Sequence, residues 1–159
     1  MINYQTCLSV SASRFTIQTL LNMKFVFTLA LSLLTVLSFA QSFVGTWKTI
    51  DDNSGEARSY VEIYEENGQL FGKIAKLLDA DPSTVCDQCP GKKKNTPLIG
   101  LVIIENMKPY QDYWKKGKIL DPESGSEYGC SLWIEDGALK VRGKHWTGLY
   151  RTQTWYPVE

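Results

Sequence analysis

The residues of this 159-residue chain best suited to chemistry are its cysteines and its single histidine. Cys86 and Cys89 have the Cys-x-x-Cys spacing, which occurs in short disulfides, in redox-active pairs and in zinc sites. Together with Cys130 and His145 they would form a Cys₃His set, a known composition for structural zinc. In an exported protein, a structural disulfide is the commoner use of such a pair. We therefore predict a Cys86–Cys89 disulfide, and redox chemistry, zinc binding and pairing with Cys130 remain the alternatives.

The rest of the sequence shows no pattern typical of a catalytic site. His145 stands beside Trp146 in a predicted loop, without an evident nucleophile or orienting partner. No G-x-S-x-G, H-E-x-x-H or phosphate-binding loop motif occurs in the sequence. Cys130 alternates with Tyr128 and Leu132, which predicts a buried thiol in the core. The sequence therefore favours a non-catalytic protein, with no catalytic residue, no metal and no cofactor predicted.

The first forty residues do not look like part of a folded domain. Met23 and Lys24 are followed by sixteen uncharged, mostly apolar residues that end at Ala40, which is the layout of a secretory signal peptide. Because such a signal begins at the start of its protein, residues 1–22 are interpreted as a mis-assigned upstream start. We predict a signal peptide at 23–40, a periplasmic or secreted location, and no stable membrane span after cleavage.

The remaining 119 residues, 41–159, have the size of a single domain with one core. The whole chain has 17 basic and 17 acidic residues, so it lacks the excess positive charge typical of nucleic-acid-binding proteins. No nucleic-acid partner is predicted, and the sequence identifies no protein partner.

The pattern of strands and turns predicts an all-β domain. Residues 57–65 alternate between two faces, one of which carries Val61 and Ile63. Asn-Gly at 67–68 and Asp-Gly at 136–137 are strong hairpin signals. The predicted strands cover 45–50, 57–65, 69–78, 98–105, 118–120, 126–135, 139–143 and 149–156, with 107–114 ambiguous and a long polar loop at 79–97. This spacing is typical of an antiparallel up-and-down barrel of about eight strands, in which closure removes the exposed edges.

A motif in the first strand and a residue in the last strand resemble features of a known group of barrels. Gly45-x-Trp47 in the first strand and Arg151 in the last resemble the G-x-W start and the late arginine of lipocalins and related calycin barrels. The resemblance implies that Trp47 plugs one end of the barrel and that Arg151 packs on its indole. A guanidinium over an indole face is favourable by about 0.5–2 kcal/mol.

An ordered series of short motifs resembles a bacterial family of small exported proteins, called domain of unknown function 2147. The series spans 43–156 and consists of Gly45-Thr46-Trp47, Gly72-Lys73-Ile74, Cys86-x-x-Cys89, Gly100, Trp114-x-x-Gly117-x-Ile119-x-Asp121-Pro122-x-x-Gly125-x-x-Tyr128-x-Cys130, Leu139-x-Val141-x-Gly143 and Arg151-x-Gln153-x-Trp155. The chain departs from the family at Lys144-His145-Trp146, where members often carry Gly-Tyr. The resemblance implies a fold and an exported location, and it carries no established activity.

The aromatic residues of 41–159 favour a binding function. They outnumber what a small core needs, and a barrel mouth lined with them would form an apolar pocket with polar tips. The candidate ligand-binding residues are Tyr60, Tyr64, Tyr113, Trp114 and Trp133. The leading hypothesis is a non-catalytic barrel that binds a small apolar or amphipathic molecule. The alternative is an envelope or secreted interaction module whose barrel is filled and whose aromatic side chains face outward.

Overall fold

The computed structural model describes residues 42–158, and the eight strands of this part form one closed antiparallel barrel. The strands are β1 (Gly45–Ile50), β2 (Ala57–Glu66), β3 (Gln69–Leu77), β4 (Val102–Tyr110), β5 (Tyr113–Asp121), β6 (Ser126–Glu135), β7 (Ala138–Lys144) and β8 (Tyr150–Pro157). The predicted all-β, up-and-down barrel is therefore confirmed. The predicted signal peptide at 23–40 and the stretch 1–22 lie outside the described residues.

Closure of the barrel depends on the pairing of its first strand with its last. Consecutive strands pair with each other all the way round, and β1 pairs with β8 through Trp47–Pro157 and Lys48–Tyr156. The amide of Val158 extends this seam with a 2.9 Å hydrogen bond to a carbonyl of β1. The seam satisfies strand edges that would otherwise be free to pair with other chains.

The two ends of the barrel differ because their connections differ in length. One end, here called the closed end, has two-residue turns at 67–68, 111–112 and 136–137. Asn67 and Asp136 have φ values of 52° and 51°, and each precedes a glycine with positive φ, as type I′ turns of twisted hairpins require. The other end, here called the mouth, carries the longer connections 51–56, 78–101, 122–125 and 145–149.

The bulky core side chains lie toward the closed end. The largest fully buried residues include Ile63, Leu70, Ile104, Met107, Leu132, Leu139 and Trp155. Most of them stand in the half of their strand nearer to the two-residue turns. Toward the mouth, smaller or polar residues such as Thr49, Ser59 and Gly143 take the inward positions. The interior is therefore filled at one end and open at the other.

The β4–β5 hairpin differs from the expectation drawn from the sequence. The sequence predicts strands at 98–105 and 118–120 and leaves 107–114 ambiguous, whereas β4 begins at Val102 and β5 runs without interruption from Tyr113 to Asp121. Lys116 has a φ of 64° and lies at a register shift, so the strand bulges there and continues. Gly117 fits this position because a Cβ would collide with the carbonyl of Glu105.

The 78–101 connection is the longest and has its own internal structure. The predicted Cys86–Cys89 disulfide is present in it, and an isolated bridge joins Val85 to Pro97. A short 3₁₀ helix, Gly91–Lys93, follows the disulfide. Within residues 42–158, no helix is long and apolar enough to cross a membrane.

The disulfide packs directly on the turn between β5 and β6. Cys86 Sγ lies 3.2 Å from the carbonyl oxygen of Pro122. Gly125 has a φ of 67°, and a Cβ there would overlap the carbonyl of Gln88. Glycine is therefore required at position 125 both for its backbone conformation and for space. This contact joins two of the mouth connections.

Gly125→Ala is expected to destabilise the protein by about 2–4 kcal/mol. The added Cβ would collide with the Gln88 carbonyl, and alanine is also strained in the left-handed backbone conformation of this position. The matched control is Gly55→Ala, where φ is 73° but the space is open, so only strain of about 1–2 kcal/mol is expected. Urea unfolding followed by tryptophan fluorescence measures both variants. Equal losses would show that packing of the turn on the disulfide loop contributes nothing.

Candidate functional site

A cavity of about 660 Å³ opens at the mouth of the barrel. Much of its lining is apolar, a smaller part is uncharged and polar, and the mouth connections add a charged rim. The apolar part includes Ile74, Leu77, Leu98, Ile103, Ile119, Leu120, Val141 and Trp155, and the uncharged polar part includes Thr49, Ser59, Tyr128 and Gln153. An apolar interior with a few placed polar groups is the usual composition of a small-molecule site.

Strand β8 contributes a tryptophan and an amide to this lining. Trp155 and Gln153 are two residues apart, so both point inward. The Trp155 side chain is buried, and its Nε1 donates to Oε1 of Gln153 at 3.2 Å. Because an indole N–H only donates, this bond turns the amide oxygen toward Trp155. The amide nitrogen of Gln153 has no partner among the described residues, so it is free to donate to a ligand.

Thr49 and Ser59 form a second polar pair in the cavity, across the pairing of β1 with β2. Their hydroxyl oxygens are 2.9 Å apart, and the amide of Ser59 donates to Oγ1 of Thr49 at 3.1 Å. Both residues are only 9% exposed. Because they satisfy each other, they enter the lining without the cost of an unpaired buried polar group.

Arg58 connects three of the four mouth connections. Its Nη1 is 3.0 Å from Asp51 Oδ2, its Nε is 2.9 Å from Asp79 Oδ2, and its Nη2 contacts Glu123. The carboxylates come from 51–56, 78–101 and 122–125. A guanidinium presents its donors in a rigid fork, which lets one arginine serve several carboxylates. Since the Arg58 side chain is 37% exposed, we expect these contacts to define loop geometry more than to add stability.

The carboxylate of Asp51 is held in its charged form by its own turn. The amides of Ser54 and Asn53 each donate to Oδ1 at 2.8 Å, and Arg58 binds Oδ2. The two backbone hydrogen bonds, and after them Arg58, lower the pKa of Asp51 to about 2. Asp51 therefore carries a negative charge on the rim throughout the physiological pH range.

Arg151 and Trp47, the pair expected to stack, lie apart. Arg151 is near the start of β8, at the mouth, where its Nε is 2.5 Å from Asp52 Oδ2. Trp47 lies toward the closed end, and its Nε1 donates to the carbonyl of Phe43 at 2.9 Å. The stacking implied by the lipocalin resemblance is replaced by these two contacts, because β8 begins at the mouth and its second residue cannot reach the closed end.

Three of the five candidate ligand-binding aromatics lie on the outside of the barrel. Tyr60 and Tyr64 alternate with buried residues of β2 and so point outward, where Tyr64 stacks on Phe71 with ring centroids 5.7 Å apart. The Trp133 ring lies 4.8 Å from the guanidinium of Arg142. None of the three lines the cavity in the described part of the chain.

The other two candidates lie at the closed end. Tyr113 contacts Tyr110 across the β4–β5 turn, and Trp114 meets Phe43 edge-on with ring centroids 6.2 Å apart. Three aromatic residues that line the cavity were not among the five candidates: Tyr128, Tyr150 and Trp155. Tyr128 alternates with Cys130 and Leu132, so it lies on the strand face that the sequence already predicts to point inward.

The cysteine chemistry of the described part is limited by burial. Cys86 and Cys89 are 1% and 2% exposed, and their disulfide uses two of the three thiols that a Cys₃His zinc site would need. Cys130 is the free cysteine of residues 42–158, and burial raises its pKa to about 12, which keeps it a protonated thiol. No group of three or more His, Cys, Asp or Glu residues is placed to hold a metal ion in this part.

Comparison with known families identifies the chain. The sequence model of a family described as an uncharacterised protein conserved in bacteria, DUF2147, matches residues 45–156, from β1 into β8. The chain belongs to the DUF2147 family. The resemblance noted in its short motifs is thereby confirmed.

A solved structure shares the barrel of this DUF2147 protein. Protein HP1028 from the human pathogen Helicobacter pylori, described as belonging to the lipocalin family, matches with a TM-score of 0.66. The match covers 74% of this chain and 84% of the other, at 20% sequence identity. At this identity the similarity establishes a lipocalin-like fold alone. Comparison with curated proteins gave no match.

Asp51→Asn is expected to make the free energy of unfolding depend less steeply on pH under acid conditions. The pKa of Asp51 is about 2 in the folded protein and 3.8 ordinarily. Its contribution to stability is therefore complete above the ordinary value and is lost as the pH falls from about 4 to about 2. Thermal melts across this range measure the slope.

The control for Asp51→Asn is Asp112→Asn, which removes the same charge from the β4–β5 turn at the closed end. If Asp51→Asn kept the acid slope of the unmodified protein, the turn hydrogen bonds would not favour the charged form.

Proposed function

We propose that this DUF2147 protein is a non-catalytic binding barrel that holds a small apolar or amphipathic molecule in its mouth cavity. The observation that carries the proposal is the cavity of about 660 Å³, with its largely apolar lining and few placed polar groups. Small-molecule sites usually enclose about 300–1,000 Å³. The lipocalin-like fold supports the proposal, since an eight-stranded barrel has room for one small ligand.

Binding would draw its free energy from the apolar lining. Each Å² of apolar surface removed from water contributes about 25 cal/mol before the costs of association. The paired hydroxyls of Thr49 and Ser59 and the amide nitrogen of Gln153 would orient a polar group of the ligand. Because these side chains are already held by one another or by Trp155, little freedom is lost when they engage a ligand.

We propose that the protein acts outside the cytoplasm, as a periplasmic or secreted chain of residues 41–159. The apolar leader at 23–40 supports this location, and so does the Cys86–Cys89 disulfide, because such bonds persist in oxidising compartments. Translation would then begin at Met23, with 1–22 upstream of the protein. Sequencing the amino terminus of the exported protein tests the proposal, with Gln41 as the expected first residue.

A second candidate function is an interaction module that contacts another molecule at the mouth. The 145–149 connection and the start of β8 carry three strongly exposed side chains, with Trp146 at 89%, Leu149 at 76% and Tyr150 at 65%. Clustered exposed apolar side chains often mark contact sites. The filled barrel of this alternative conflicts with the open cavity. Trp146→Ala would abolish partner binding under this function and leave ligand affinity unchanged under the first.

Mass spectrometry of residues 41–159 exported from a bacterial host is the first test of the binding function. Under native conditions we expect extra mass that disappears on denaturation and whose size identifies the ligand. Titration with the uncharged fluorophore N-phenyl-1-naphthylamine covers a ligand lost during purification. A bare native mass together with no binding of this fluorophore would overturn the proposal.

Gly143→Leu is expected to weaken binding of N-phenyl-1-naphthylamine by about tenfold or more, because its side chain would occupy the cavity. A Cβ at this position meets only ordinary contacts, at 3.5 Å from Tyr128 and 3.7 Å from Ile119, so the barrel should fold with a stability change of about 1–2 kcal/mol at most. Fluorescence titration measures the affinity.

The matched control is Gly129→Leu, which adds the same side chain on β6 at a position outside the cavity lining. Its Cβ would lie 3.7 Å from the nearest neighbour, the carbonyl of Lys144. Equal affinities in the Gly143→Leu and Gly129→Leu variants would place the bound fluorophore outside the mouth cavity.

A further inference from the structure

The rim of the mouth cavity carries more carboxylates than cations. The lining contains the acids Asp51, Asp79, Asp87, Asp121 and Glu123, the arginines Arg58 and Arg151, and one histidine, His145. The lysines at 92–94, which belong to the 78–101 connection, are not part of the lining. Lys93 instead binds Glu105 Oε1 at 2.5 Å and the carbonyl of Val102 at 3.1 Å.

Both arginines of the rim already have carboxylate partners. Arg58 uses its Nε, Nη1 and Nη2 atoms on three carboxylates, and Arg151 uses its Nε on Asp52. An acidic ligand would therefore have to displace a carboxylate to gain Arg58, whereas Arg151 keeps its Nη1 and Nη2 groups without a described partner but lies beside the negative charge of Asp52. Among the described lining residues, no arginine or lysine is left without a carboxylate partner, and the His145 ring bonds to the Thr147 hydroxyl at 2.8 Å.

Two of the rim carboxylates have no cationic partner in the described part of the chain. Asp121 accepts hydrogen bonds from the Glu123 amide at 3.0 Å and the Ser124 hydroxyl at 2.8 Å, and both donors are uncharged. Asp87 accepts one long bond, 3.4 Å, from Gln88. The loops that carry the two acids touch each other, since Gly125 packs on the Gln88 carbonyl and Pro122 on the disulfide.

An aromatic face near the mouth adds to the attraction for a positive charge. Tyr128 lines the cavity, and no lysine or arginine lies over its ring among the described contacts, whereas the ring of Tyr150 already lies 4.6 Å from Arg142. Cations over such faces are stabilised by the ring quadrupole.

We infer that the ligand of the mouth cavity is a cationic amphiphile, with its apolar part in the barrel and its positively charged group at the rim beside Asp87 and Asp121. This inference rests on the proposed binding function and names its ligand class. A carboxylate or sulfate in the same position would face the unpaired acids, and like charges at close range repel each other.

Three probes with the same alkyl chain test the inference: dodecylammonium, dodecanol and dodecanoate, each titrated calorimetrically below its aggregation threshold. We expect dodecylammonium to bind about tenfold or more tightly than dodecanoate at low salt, with dodecanol between them. The difference should shrink in about 0.5 M sodium chloride, because salt screens charges near the protein surface.

A double variant that removes two negative charges tests whether the preference for dodecylammonium arises at the rim. Asp87→Asn/Asp121→Asn removes both unpaired acids while leaving the Arg58 contacts intact, and it should reduce the preference for dodecylammonium about threefold or more. The control, Glu65→Gln/Glu66→Gln, removes the same charge from exposed positions at the closed end and should leave the preference unchanged.

The outcomes distinguish the ligand class from the binding function. Equal binding of dodecylammonium and dodecanoate, or an equal loss of preference in both variant pairs, would overturn the cationic ligand while dodecanol binding still supported the cavity. Failure of all three probes to bind would overturn the proposed function and this inference together.

Discussion

The seam between β1 and β8 consists of two residue pairs, and the rest of the site depends on it. Closing eight strands fixes the width of the barrel, and at that width the interior is either filled by side chains or left with space for one small ligand. The size of the inward residues at each level decides between these outcomes. Leu70 and Met107 fill the closed end, whereas Ser59 and Gly143 leave the mouth end open.

The fold was predictable because its local signals agree with its topology. The alternation of apolar and polar residues predicted the strands, and the glycine-containing turns at 67–68 and 136–137 predicted two hairpins at the closed end. The β4–β5 hairpin was not predictable in the same way, since its turn, Gln111-Asp112, lacks a turn signature. The bulge at Lys116 and Gly117 has the composition of a turn but lies inside a strand, held there by close packing on β4.

The site was less predictable than the fold, for two physical reasons. Aromatic residues were assigned to the cavity by type, although alternation with Val61 and Ile63 already placed Tyr60 and Tyr64 on the opposite face. The charged rim, in contrast, has no local signal. Arg58 meets carboxylates 7, 21 and 65 residues away, and such contacts exist only once closure has brought the connections to one end.

The ionic contacts of the mouth act on the loops and on the ligand at the same time. Arg58 holds three connections in place, and a connection that is ordered before binding loses little freedom when a ligand arrives, which favours affinity. The same contacts commit the guanidinium to protein carboxylates, and Asp52 does so for Arg151. In a mouth ordered in this way, both lining arginines already have a carboxylate beside them, while Asp87 and Asp121 have no cationic partner among the described residues and remain available to a positively charged ligand. Loop order and charge selectivity are therefore two consequences of the same arginine contacts.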